Sequence, residues 1–181
     1  MAIILGIDPG TAHVGWALVD GTALVDCGSF SVTTKRPWRD RKRELVRNLK
    51  ALLTEAVQVH GARLVGIEAT AVNHGAYEPR NGQAPSLAQL RSMASNTQQT
   101  EELAGEIAAL AAGSGCEVVR VPPTRSLRAL GLKCRPKPTD GDQSRAFSVL
   151  TGRKLLARDH HEARAYGVAL ATPAAQREAA E

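Results

Sequence analysis

The chain has 181 residues, of which 43% are hydrophobic, so it can bury a sizeable core and is excluded from the disordered class. No apolar run is long enough to span a bilayer, and Met1–Asp8 has neither a basic leader nor a cleavage site, so a cytoplasmic protein with no membrane partner is expected. The net charge of +5 favours a polyanionic partner, and three scattered cysteines (Cys27, Cys116, Cys134) without a CxxC pair argue for reduced thiols rather than disulfides or zinc.

Ile3 to Ile7 is a continuous apolar run, the pattern of a strand buried on both faces, and Asp8-Pro9-Gly10 stops it. His13 to Asp20 and Ala23 to Thr33 read as two more strands, joined at the hairpin signal Asp20-Gly21. Arg39 to His60 is helical, with Leu45, Leu49, Leu52, Leu53 and Ala56 on one face. Ala62 to Glu68 returns to a buried strand, and Gly75 to Pro85 reads as a loop. Ser86 to about Ala112 is a long helix whose Leu87, Leu90, Leu103, Ile107 and Leu110 either pack on the sheet or, on another face, are left for a partner surface. Cys116 to Val121 is a fifth strand. Pro122-Pro123 breaks the chain, Thr124 is placed to cap a short helix, and Lys133 to Asp142 reads as a basic, Pro-rich loop. Helices at Gln143 to Leu150 and His160 to Ala171 follow, with Pro173 closing the last.

Three strands joined by short turns form an antiparallel meander, and two later strands reached through helices run parallel to the first. The expectation is one α/β domain over residues 1–172, with a five-stranded mixed sheet flanked by helices and a frayed tail over 173–181.

Eighteen of the 23 basic residues fall in two stretches, Lys35 to Lys50 and Arg120 to Arg158. Segregated charge of this kind suits phosphate, because each neutralised phosphate releases counterions, although solvated helix faces give the same pattern. The acids are more informative. Asp8 and Glu68 each end an apolar strand, so parallel pairing brings both to the carboxyl edge of the sheet, where ligands bind in open α/β folds. Asp159 and Glu162 sit three apart at the start of the last helix, on one face. Four carboxylates from three elements suit Mg²⁺, which takes oxygen ligands, and two such ions can drive phosphodiester hydrolysis. The same residues also fit a plain turn and ordinary acids at a helix N-terminus.

Ile4-Leu5-Gly6-Ile7-Asp8-Pro9-Gly10-Thr11 with Gly15, Val65-Gly66-Ile67-Glu68, and Asp159-His160-His161-Glu162-Ala163 with Ala165 together resemble the three motifs of RuvC-type Holliday junction resolvases, of the RNase H-like superfamily. They fall in family order across nearly the whole chain. The resemblance implies an RNase H-like fold and a homodimeric endonuclease of DNA recombination and repair. Such an enzyme nicks four-way junctions symmetrically with two Mg²⁺ (or Mn²⁺) ions, leaves 5′-phosphate and 3′-hydroxyl ends, and works beside branch-migration proteins. By the matches, Asp8, Glu68, Asp159 and Glu162 are the metal ligands, and the helix from Ser86 is the candidate dimer surface. Lys133, Lys137 and Arg145 are candidates for positioning phosphate.

The chain also departs from the pattern. Its last acid is Glu162 where Asp is usual, and His160 and His161 stand where small residues are common. Since some members use His for the third acid, either histidine is a candidate ligand or water-positioning group. The aromatic pair that bacterial members carry after the second acid is replaced by Ala69 to His74, leaving Tyr77 as a candidate for stacking on a base. These departures point to a divergent or phage-like branch. Sugar kinases and actin-like ATPases share the opening turn but need a second domain. Two further readings stay open: an RNase H-like nuclease acting on RNA, hybrids or flaps, and a non-catalytic binder of branched DNA.

Overall fold

The computed structural model describes residues 2–70, 86–135, 137–155 and 159–179. β1 (Ile3–Asp8), β2 (His13–Asp20) and β3 (Ala23–Ser31) form the antiparallel meander. β4 (Leu64–Glu68) pairs parallel to β1, and β5 (Glu117–Val121) pairs parallel to β4. The order is β3-β2-β1-β4-β5, a five-stranded mixed sheet as expected. The buried pattern of β1 and β4 explains their apolar runs, since helices cover both faces.

One face carries α1 (Trp38–Gln58) and α2 (Leu87–Gly113), with Leu45, Leu49, Leu53, Leu103 and Ile107 packed on Leu5, Ile7, Val65 and Ile67. The other carries α3 (Pro123–Ala129), α4 (Asp140–Thr151) and α5 (His160–Ala179). There Phe147, Tyr166, Val168 and Ala169 cover Ile4, Ala17, Val19 and Val121. α5 lies very close to the sheet. A Cβ at Gly6 would collide with the Ala165 carbonyl, and one at Gly15 with the His161 carbonyl, so both motif glycines are contact points for this helix. Among the described residues, no helix is long and apolar enough to cross a membrane.

Three local expectations are corrected. α4 begins at Asp140, because Thr139 and Asp142 form a reciprocal capping box that turns the expected loop end into a first helical turn. Thr124 lies inside α3, whose N-cap is Pro122 and which has Pro123 at its first position. α5 runs through Pro173 to Ala179; burial of Val168, Ala169, Ala171 and Thr172 before the proline, and a Gln176 Nε2 hydrogen bond to Glu117 beyond it, hold the helix. In α2, Leu103 and Ile107 pack on the sheet, but Leu87 and Leu90 are 65% and 45% exposed, and the buried residues of α2 begin only at Leu103.

Candidate active site

Asp8 and Glu68 are the last residues of two adjacent parallel strands, so the backbone delivers both side chains to one edge. Both are almost fully buried, and they line one cleft of about 420 Å³ with Pro9, Thr70, Thr124, Lys137 and Arg164. Burial, and then the negative charge of Asp8, push the Glu68 carboxyl up to about 8, although Arg164 and Ser126 act against this. Glu68 is held from two sides. Its Oε1 accepts a hydrogen bond from Ser126 Oγ at 2.7 Å, and its Oε2 lies 3.6 Å from Arg164 Nη1. The backbone just after it is pinned by α2, where Glu101 Oε1 accepts from the Thr70 N–H and Oε2 pairs with Arg120 at 2.6 Å.

α5 contributes through His161, not through the acid beside it. His161 Nδ1 stands 2.6 Å from Asp8 Oδ2, and its ring stacks on His13 with centroids 5.7 Å apart. His160 tilts against His161 at 4.2 Å and places Nε2 3.7 Å from Asp140. Glu162 points the other way, onto β3: its Oε1 accepts from Ser29 Oγ at 3.1 Å, and its Oε2 lies 3.6 Å from Cys27 Sγ. Burial and that neighbouring charge raise the Cys27 thiol to about 12, so it stays protonated. Asp159 is half-buried just ahead of α5.

Of the acids expected from the sequence, the structure brings Asp8 and Glu68 together and turns Glu162 away. Tyr77 lies outside the described residues. Lys133, Lys137 and Arg145 do come together, lining a neighbouring groove of about 490 Å³, and Lys137 belongs to both clefts. Sequence reasoning missed Ser126, Glu101 and Arg164. The spacing of His161 and Arg164, three apart, is the one clue that was present.

The chain superposes on two structures of RuvC from Thermus thermophilus. One is described as in complex with Holliday junction substrate, with a TM-score of 0.65; the other is described simply as the RuvC structure, with a TM-score of 0.63. Each is 18% identical and covers 98% of this chain and 96% of the other. The fold is that of RuvC. In sequence, 54 residues are 37% identical to the crossover junction endodeoxyribonuclease RuvC of Synechococcus sp. (strain WH7803). That match spans 28% of this chain and 35% of the relative's length. No family model matches the chain.

On this RuvC fold the residues as placed do not fit a cluster of two ions and four carboxylates. Among the described residues, no three His, Cys, Asp or Glu side chains converge where they could hold a metal. Glu162 has both oxygens engaged on β3, and Glu68 has both engaged by Ser126 and Arg164. Asp8 Oδ2 and His161 Nδ1 are taken up by each other, so a single ion at this edge would have to part them and take its other positions from water and substrate phosphate.

Proposed function

We propose that the chain is a structure-selective endodeoxyribonuclease that resolves four-way DNA junctions by paired nicks, with Mg²⁺ or Mn²⁺ as cofactor and ends carrying 5′-phosphate and 3′-hydroxyl. The observation that carries this reading is Asp8 at the carboxyl edge of β1, set beside Glu68 on one side and His161 on the other, on the fold of a protein whose structure is described with a Holliday junction bound. An ion on Asp8 and His161 would polarise a phosphodiester oxygen and ease deprotonation of water. Asp159 and His160, at the start of α5, remain candidates for completing that shell or positioning water.

The protein's own groups have separable parts. Asp8 and Glu68 bring two carboxyl groups into a buried cleft, and Ser126 fixes the orientation of Glu68. Lys137, at the junction of the two clefts, is placed to steer a phosphate backbone from the Lys133 and Arg145 groove toward Asp8. Paired nicking needs two copies. The exposed Leu87, Leu90 and Met93 at the start of α2 are the apolar surface on which a second copy would seat. Branch-migration proteins are the partner class beside which such an enzyme would work.

A second reading is favoured by one observation: Arg164 stands in the cleft while Glu162 faces β3. This is how a protein that binds branched DNA without cutting it would look. One experiment separates the two. The protein is incubated with an immobile four-way junction and with matched duplex, in Mg²⁺ or Mn²⁺ and in EDTA, beside Asp8→Asn. Symmetric nicks in the junction alone, lost with EDTA and in a variant that still binds, establish the nuclease. Tight binding without cleavage establishes the binder. Cutting of RNA, hybrid or flap substrates instead moves the reading to another RNase H-like nuclease.

A further inference from the structure

Arg164 follows His161 by three residues on α5, so the two side chains share the helix face above the carboxyl ends of β1 and β4. His161 meets Asp8, and Arg164 meets Glu68. The Arg164 side chain is only 23% exposed, and its Nε is buried without a hydrogen-bond partner. A buried guanidinium is tolerated only where anions compensate it. Here Glu68, Asp8 and Asp140 do so, and they keep it charged against the effect of burial.

We propose that Arg164 is the resident cation of this cleft: it fills the place beside Glu68 that a second divalent ion would need, so that the protein binds at most one divalent ion, on the Asp8–His161 side. Two facts support this beyond the ion pair itself. A guanidinium has five donors and no acceptor, so it cannot ligate a metal and repels one. The carboxylate that could otherwise ligate, Glu68, has one oxygen toward Arg164 and the other bonded to Ser126. Arg164 also lines the cleft proposed to receive phosphate, so an entering phosphate would meet its positive charge beside Glu68.

The inference rests on reading this cleft as a cation site, but not on cleavage. Its test is to titrate Mn²⁺ into the DNA-free protein and count bound ions by electron paramagnetic resonance. The wild type should bind no more than one ion. Arg164→Asp, with its fold checked by circular dichroism, should bind one more than the wild type, and Arg164→Lys should keep the wild-type count. If Arg164→Asp does not fold, Arg164→Ala should instead tighten Mn²⁺ binding by roughly tenfold through lost repulsion. Two ions on the wild type, an unchanged count in folded Arg164→Asp, or unchanged affinity in Arg164→Ala would each overturn the proposal. A protein that binds ions as stated but nicks no junction would remove the nuclease reading and leave this one standing.

Discussion

His161 Nδ1 lies 2.6 Å from Asp8 Oδ2, and this contact marks the rotation of α5 above the sheet. Consecutive helical residues are turned by about 100° from one another. With His161 over Asp8, Glu162 is therefore carried round to Ser29 and Cys27 on β3, and Arg164 returns to the cleft at Glu68.

The first prediction follows from that rotation. His161→Ala should lower junction nicking about 100-fold, as loss of a group oriented on a catalytic carboxylate does. Glu162→Gln, which alters a contact with β3, should lower it far less. Single-turnover nicking under saturating protein measures both. Equal losses in the two variants would mean that α5 turns Glu162 toward the cleft when DNA binds.

Glu68 should make stability depend on pH. Its carboxyl is raised by burial first and by Asp8 second, from 4.5 to about 8. A raised folded-state pKa contributes stability that is complete below the unfolded value and lost as pH climbs to the folded one. Without metal, the wild type should therefore lose stability between about pH 4.5 and pH 8. Glu68→Gln, which cannot ionise, should lack that part of the decline. Urea unfolding midpoints across this range, in EDTA, give the difference between the two proteins, and parallel curves would contradict the assignment.

The sequence carried the sheet well and the site partly, for a physical reason. β1 and β4 announce themselves by apolar runs because both sheet faces are covered, and Asp8 and Glu68 end strands whose parallel pairing forces them together. The rotation of α5 is a different kind of fact. Asp159 with Glu162, and His161 with Arg164, are both pairs three apart where α5 begins, so spacing alone does not choose between them. What chooses is the packing of the His161 and Ala165 carbonyls against Gly15 and Gly6, a contact visible only once the helix is docked. Ser126 was hidden for the same reason: it reaches Glu68 from α3 across 58 positions of sequence.

That docking gives a stability prediction. Gly6→Ala places a methyl group into the backbone of α5 at Ala165 and Ala169, and the helix must move. Overpacking of this kind costs roughly 1–3 kcal/mol, and the displacement should also pull His161 off Asp8 and reduce nicking. Gly105→Ala is the control. It lies on α2 with nothing within 4 Å of the added Cβ, and a glycine-to-alanine change in a helix should stabilise by about 0.5–1 kcal/mol. Opposite signs in urea unfolding are expected. A neutral Gly6→Ala would mean that α5 is not held at this distance.

The exposed start of α2 should matter to assembly. Leu87, Leu90 and Met93 lie on neighbouring turns and are at least 45% exposed, while α2 is anchored only further along by Leu103, Ala104, Ile107 and Ala111. Leu87→Glu with Leu90→Glu should convert a dimer to a monomer in light scattering and uncouple the two nicks of a junction. Because neither residue belongs to the core, the melting temperature of the monomer itself should change little. A dimer that survives both changes places the interface elsewhere.

The two basic stretches should contribute unequally to DNA binding. On α1, Lys42 is engaged by Glu102 and Glu106, and just ahead of the helix Arg36 is engaged by Glu44, so that stretch is partly neutralised by the protein itself. Lys133, Lys137 and Arg145 instead line an open groove that meets the Asp8 cleft at Lys137. Each phosphate neutralised by a cation adds about 0.9 to the dependence of log affinity on log salt for duplex arms. Replacing all three groove residues with alanine should reduce that slope by roughly 2–3 and weaken junction and duplex binding together, because backbone contacts carry no sequence information. Arg36→Ala with Lys42→Ala should change it by less than about 1. Fluorescence anisotropy at several salt concentrations measures the slopes, and a reversed order would put the DNA track along α1 rather than beside α4.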